Sequence, residues 1–448
     1  MTTRRAVLAG LAAAPAFDVL PPRARAALLA GRPCDAGDLQ AGLDKAGVLR
    51  LPAGLYMLET PLEIPSGGGL VGDGFRAVLK AAPGFGDRPL VRNAGYRAKS
   101  DAARDRDLVI TGVKLDGNKR ENLRATEFSA CLALHAVDGA RLDVWAVDAK
   151  GDGVTLTYAA GALGVGCRGV RGRARTERCA RQGVAVICAE DLDLTVVDRG
   201  AALYALDLET DDAANFIRRG RFRVTATGSG NGTDASGGVG VDGGGGSSPG
   251  RISDIVLDVQ VRAARGAGVV WRDAERLTVR GLVDGAAKNG LWGADAGSRP
   301  STVTLDVDVR NTGGNGWRAN EVAGAVYNGR VHVQRAGNVG VEIAHARGGD
   351  LDIAAVDGSQ QGVVLHDCQG LAFRSIVARA NKGNGLWLRG GSRDNLIDAL
   401  VSTGSVFGAG VQEDAGSNGN RIRRARLGAN RLGDVRLSGP RSRVERAP

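Results

Sequence analysis

Along most of the chain apolar and polar residues alternate with a period of two, the spacing of a half-buried strand, and Gly, Asn and Asp punctuate the runs. The alternation recurs in a fixed form, Gly-apolar-x-apolar-x. Copies begin at Gly153, Gly183, Gly238, Gly268, Gly290, Gly316, Gly340, Gly362, Gly385 and Gly410; Ala205 replaces the glycine in one copy, and Cys131 opens the series. From Gly268 onward the steps are 22, 26, 24, 22, 23 and 25 residues. Each step holds a second alternating strand, such as Leu192–Val196, Ile255–Val259, Leu277–Val279 or Val303–Val307.

A repeat of this length, made of short strands and tight turns, predicts an all-β fold: a single-stranded right-handed parallel β-helix, or solenoid. Leucine-rich repeats have a similar period, but their fixed Leu and Asn positions and helical half are missing. Propeller blades need roughly 40 residues each. Before the repeats, Asp38–Leu43 reads as a short amphipathic helix, suited to cap the end of a solenoid whose first coil would otherwise expose its core. The expected divisions are a leader over 1–16, a linker over 17–34, the β-helix over 35–440 and a tail over 441–448.

In Gly-apolar-x-apolar-x the first and third residues after the glycine point into the core and the second and fourth point outward. Coils stack about 4.8 Å apart, so equivalent outward residues form columns. The second-position column runs Ala133, Thr155, Ala185, Asp207, Gly240, Val270, Trp292, Arg318, Glu342, Val364, Trp387, Gln412. The fourth-position column runs His135, Thr157, Ile187, Glu209, Asp242, Arg272, Ala294, Asn320, Ala344, His366, Arg389, Asp414. Carboxylates gather at Asp207, Glu209 and Asp242, and Arg272 follows one coil later. Asp207 and Glu209 share one face of a strand with Cα atoms ~6.5–7 Å apart, a span that suits a pair of glycosidase carboxyls with room for water. Like-charge repulsion from Asp242 would keep at least one of them protonated, as a general acid requires. Two other readings stay open: the three carboxylates bind Ca²⁺ while Arg272 or Lys150 acts as the base of a lyase, or they form a solvated acidic patch paired with Arg272. Trp292, Asn320 and Trp387, with Arg318, His366 and Arg389, extend the columns as candidate sugar contacts, through ring stacking and guanidinium–carboxylate pairing.

Composition narrows the partners. The chain has 448 residues, of which 69 are Gly and 13 Pro without an every-third-residue pattern, which excludes collagen. Its formal charge of +10 comes from 51 Arg and 8 Lys set among acids, not in runs, which argues against nucleic acid. No later stretch reaches ~18 uninterrupted apolar residues, so no membrane span is expected. At the start, Arg4-Arg5 precedes a short apolar run and Ala14-Pro15-Ala16, the pattern of a twin-arginine leader cut after Ala16, which places the mature chain in the periplasm or outside the cell. Six cysteines are expected to form at most one disulfide; Cys167 and Cys179 are close enough in sequence to staple a loop, and Cys131 reads as a buried thiol.

Several segments resemble the pectate lyase superfamily of parallel β-helix proteins: Val48–Tyr56 with its Leu-Pro-Ala-Gly-x-Tyr strand, the Leu70-Val-Gly-Asp-Gly74 turn, Val113–Asn118, and the coils at Arg181–Val184 and Leu206–Glu209. The resemblance covers most of residues 35–440 and implies the fold; the superfamily holds hydrolases, lyases, epimerases and non-catalytic adhesins. Tyr204–Glu209 is also similar to the Tyr-Gly-x-Asp-Pro-His strand of mannuronan epimerases. Tyr204 and Asp207 match, but Leu208 stands in place of Pro and Glu209 in place of His, which sets epimerase chemistry aside. Lys150-Gly-Asp152-Gly resembles the Gly-Asp-Gly turn of polygalacturonase-like coils, whose second aspartate pair and His motif are missing. On this reading Asp207, Glu209, Asp242 and Arg272 are the candidate catalytic residues, with Tyr204, Arg181, Lys150 and Asp152 beside them as substrate contacts. The expected function is an exported hydrolase or uronate lyase acting on a polysaccharide, including anionic ones. The rival is a non-catalytic carbohydrate-binding or envelope-associated repeat protein.

Overall fold

The computed structural model describes residues 36–97, 104–122, 126, 128–243, 250–294, 299–321 and 324–447. The expected leader with its cleavage site, the linker with Cys34, and most of the glycine-rich stretch after Gly243 lie outside the described residues.

The chain winds into a right-handed parallel β-helix, the hand that parallel crossovers take in nearly all proteins. Among the described residues one sheet has 15 short strands and the other 19, most of them longer. The 15-stranded sheet is the Gly-apolar-x-apolar-x repeat, and its register stacks the copies one on another: Thr155 on Ala133, Ala185 on Thr155, Asp207 on Ala185, Gly240 on Asp207, Val270 on Gly240 and Trp292 on Val270. First- and third-position side chains fill the interior; Leu206, Leu208 and Val239 are fully buried. Trp271 and Trp317 lie in the same core, each meeting Tyr327 edge to face at 6.4 and 5.2 Å. A carboxyl is buried with them. Glu321 Oε1 accepts from Trp271 Nε1 at 2.8 Å and from the Tyr327 hydroxyl at 2.7 Å, and burial raises its pKa.

The long strands bend where left-handed residues stack. Asp191, Arg219, Asp254 and Arg276 all have positive φ and occupy one column, and a second column at the strand ends runs Asp148, Arg178, Gly200, Gly228, Ala263, Gly285. In the first column charge alternates, so Arg219 grips Asp191 at 2.7 and 3.0 Å and Arg276 grips Asp254 at 2.6 and 2.8 Å. Much of the arginine excess is matched to acids on the protein's own surface in this way.

The helix Ala36–Ala46 caps the first coil as expected, burying Leu39 and Leu43. Its Gln40 also acts as a strand partner. The side-chain amide donates to the Glu63 carbonyl at 2.9 Å and accepts the Glu63 N–H at 2.8 Å, closing part of an open sheet edge. At the other end the strand Arg443–Arg446 pairs with Arg421–Gly428, so the sheet runs on into the segment expected to be a tail. The cysteine staple is not formed. Cys131, Cys167, Cys179, Cys188 and Cys368 are free and buried, and burial pushes Cys167 and Cys188 up to about 11. Among the described residues no helix is long and apolar enough to cross a membrane.

Candidate functional site

The strand Tyr204–Glu209 carries the acids, and its neighbours define their surroundings. Glu209 stacks on Asp242, and Asp242 on Arg272 in the next coil. The Arg272 guanidinium meets Asp242 Oδ2 at 2.5 Å. Asp207 faces Gly240, and a Cβ built there would lie 2.8 Å from Asp207 Oδ1 and 3.0 Å from the Tyr204 ring. The glycine is therefore the space into which both side chains fold.

The structure gathers Arg181, Tyr204, Asp207, Glu209, Asp242 and Arg272 around a cavity of about 270 Å³. A second cavity of about 450 Å³ adjoins it and shares Arg181, Asp207 and Glu209, adding Asp152 and Asp211. In this region the outward columns are roofed by turns, not open to solvent: Ala133, Ala185 and Asp207 are 3, 3 and 4% exposed. Desolvation sets the electrostatics. Burial, reinforced by Glu209, Asp152 and Asp242, holds Asp207 well above the usual carboxylate range. Glu209 is raised by burial and by Asp242, against the pull of Arg181 and Arg272. Burial likewise raises Asp152 despite Arg181, whose Nε lies 3.4 Å from Asp152 Oδ1, and burial, reinforced by Asp207 and Asp242, lifts Tyr204.

Sequence reasoning missed Gln182. Its Nε2 donates to Asp207 Oδ2 at 2.5 Å while its Oε1 accepts the Tyr204 N–H at 2.7 Å, so the backbone of the strand Tyr204–Glu209 orients the amide. A signal for it exists in the residue just before each repeat glycine. There Asp152 accepts the Gln182 N–H at 3.1 Å, Asn289 the Asn315 N–H at 3.0 Å and Asn384 the Ala409 N–H at 2.8 Å, forming a ladder of side-chain oxygens down the turn. Gln182 is the rung that also reaches the acid cluster. Tyr96, Phe128 and Tyr158, which line the larger cavity, sit on turns outside the repeat and left no periodic trace.

Other expected contacts lie elsewhere. Lys150 is buried and its ammonium donates to the Gly86 carbonyl, so it serves neither as base nor as substrate contact. Further along the same face, Trp292 donates to Asn320 Oδ1 at 3.2 Å and packs with Tyr204, Val270 and Ala294. Trp387 is covered by the Arg389 guanidinium, 4.9 Å from its ring centre, and Arg389 leans toward Glu342 at 3.4 Å. The face expected to stack a sugar is thus taken by the protein's own arginine. Arg318 lies between Trp292 and Glu342 in the column, and His366, lowered by burial and Arg389, lies beside Arg389; neither lines the two cavities. The Ca²⁺ reading does not fit. Among the described residues no group of three His, Cys, Asp or Glu side chains is placed to hold a metal ion. Asp207 is tied to Gln182 and Asp242 to Arg272.

Fold and site together define a parallel β-helix with an acidic groove on its short-stranded sheet. No protein-family model matches the chain, and no curated protein matches it. Solved structures similar to it include the A-module of the mannuronan C-5 epimerase AlgE4 of Azotobacter vinelandii, at 16% identity and TM-score 0.44, covering 92% of this chain and 95% of that one. The N-terminal fragment of bacteriophage phi29 gene product 12 is similar at 13% identity and TM-score 0.40, covering 90% of each chain. The Streptococcus pneumoniae surface adhesin PfbA is similar at 12% identity and TM-score 0.39, covering 89% of each. These likenesses are of fold.

Proposed function

We propose that the protein hydrolyses glycosidic bonds of a polysaccharide bound in the groove, with Glu209 as general acid and Asp242 as the nucleophilic carboxylate. One observation carries this reading: a protonation-prone carboxyl, Glu209, stacked on a carboxylate held by a guanidinium, Asp242 on Arg272, inside one cavity. A carboxyl raised by burial toward its neutral form, beside a second carboxyl paired with a guanidinium, supplies the two groups that glycoside cleavage needs. Asp242 attacks the anomeric carbon as the glycosidic C–O bond breaks and the leaving oxygen takes the proton of Glu209; water then adds to that carbon, giving its proton to Glu209, and Asp242 leaves, a sequence that suits carboxyls on directly paired residues of adjacent coils. Asp207, buried and held by Gln182, keeps Glu209 in a poorly hydrated setting. A lyase would instead need a base and a cation for the uronate carboxylate, but Arg181 and Arg272 are engaged by Asp152 and Asp242.

The test incubates the mature protein and Glu209→Gln with a panel of neutral and uronic polysaccharides, following reducing ends and unsaturated-uronate absorbance together. Hydrolysis predicts reducing ends without the chromophore, reduced about 10²–10⁴-fold in Glu209→Gln. Chromophore formation would make the protein a lyase. Binding without either product would make it a carbohydrate-binding scaffold.

A further inference from the structure

The larger cavity holds features that proton transfer does not use. Its floor alternates small apolar and hydroxyl side chains, Ala133, Thr155 and Ala185 in one column with Thr157 and Ile187 beside them. Tyr96 stacks on His135 with ring centres 3.8 Å apart, and Phe128 stands at the rim 57% exposed. Tyr158 closes another side, its hydroxyl donating to Asp211 Oδ2 at 3.1 Å. The turn after Tyr158 is pinned in place: the Gly164 N–H donates to Asn215 Oδ1 at 3.0 Å, and Asn215 donates to Asp211 Oδ1 at 2.5 Å. Leu163, 48% exposed, is carried on that turn. Three aromatic rings, Tyr96, Phe128 and Tyr158, beside carboxyls in one pocket fit a ligand with both apolar faces and polar edges.

Charge in the same cavity is one-sided. Asp152, Asp207, Glu209 and Asp211 line it, whereas among the described lining residues the one permanent cation, Arg181, leans on Asp152 at 3.4 Å. His135 adds no positive charge near neutral pH, since burial and Arg92 lower it to about 4. We propose that this cavity is a subsite for an uncharged sugar unit and that the protein's substrate is a neutral polysaccharide. The proposal rests on the reading that the groove takes a polysaccharide. The C–H face of a pyranose meets the aromatic side chains, and its hydroxyls donate to the carboxyl oxygens at the edges, for which an acceptor-rich wall is suited. A uronate would bring an anion into a lining where burial already favours the neutral forms of Asp152, Asp207 and Glu209, with no unengaged guanidinium among the described lining residues to receive it.

Affinity electrophoresis of the mature protein tests this, in gels containing a neutral β-glucan, mannan, xylan or galactan, or polygalacturonate or alginate. The expected result is retardation by at least one neutral polymer, at least tenfold stronger than by either uronic polymer. Phe128→Ala weakens that retardation severalfold, and Asp211→Asn raises retardation by uronic polymers relative to that by the neutral one. Preference for a uronic polymer, or neutral binding indifferent to Phe128→Ala, overturns the proposal. The two readings fail separately. Neutral binding without cleavage supports the subsite and removes hydrolysis, uronic polymers cut to plain reducing ends do the reverse, and retardation by no polymer removes both.

Discussion

Gly240 is the residue on which the geometry of the acid cluster depends most narrowly. No strain of its own backbone is involved; what matters is that Asp207 Oδ1 and the Tyr204 ring occupy the place of its missing side chain. Gly240→Ala is expected to push both away and lower kcat about 10²-fold, the scale of a misplacement near 1 Å, while far-ultraviolet circular dichroism stays that of the wild type. Unchanged kcat would mean that Asp207 and Tyr204 need not sit where they do. Asp207, Glu209, Asp242 and Arg272 were legible in the sequence because alternation dictates which side chains leave the core, and the solenoid dictates which of those become neighbours. Gln182 was less legible. It belongs to the turn ladder, where an amide reads as a turn residue until its second hydrogen bond is seen.

At the scale of the strand and turn, stacking converts one local choice into a column. The left-handed column at the strand ends contains Gly200 and Gly228 but also Ala263, with φ near +49. A Cβ at Gly200 would meet nothing within 4 Å, so a substitution there tests backbone conformation without a clash. Left-handed conformation costs a non-glycine residue ~1–2 kcal/mol, partly offset by the entropy that alanine removes from the unfolded chain. Gly200→Ala is therefore expected to lose about 1 kcal/mol and Ala263→Gly to gain a similar amount, read as opposite shifts of the urea midpoint at constant slope. Equal midpoints would mean that the corner tolerates either backbone. The Gly-apolar-x-apolar-x phase gave the short-stranded sheet its register residue by residue, since in a solenoid the repeat length is the register. The repeat could not show where the outward face is roofed, because the segments carrying Tyr96, Phe128 and Tyr158 have no counterpart in the other coils. The same lack of tertiary information hid the fate of Trp387, whose outward position was right and whose ring is nonetheless covered by Arg389.

Over the whole molecule, one uninterrupted core runs from Leu39 in the capping helix to Ile422 and Ala425 in the last coils, and the acid groove sits in its N-terminal half. That stack sets Glu209 directly on Asp242, with Arg272 paired to Asp242 from the next coil. Glu209 is the group on which the functional account stands, and its protonation can be observed without knowing the substrate. Carboxyl-carbon nuclear magnetic resonance of protein labelled at Asp and Glu, assigned by the signal lost in Glu209→Gln, measures it directly. Because burial and Asp242 both favour the neutral form, Glu209 is expected to titrate above the ordinary glutamate value of about 4.3 and to fall toward it in Asp242→Asn, where the repulsion is gone and Arg272 is released. A Glu209 signal that titrates at or below that value, and does not respond to Asp242→Asn, would contradict a general acid at this position.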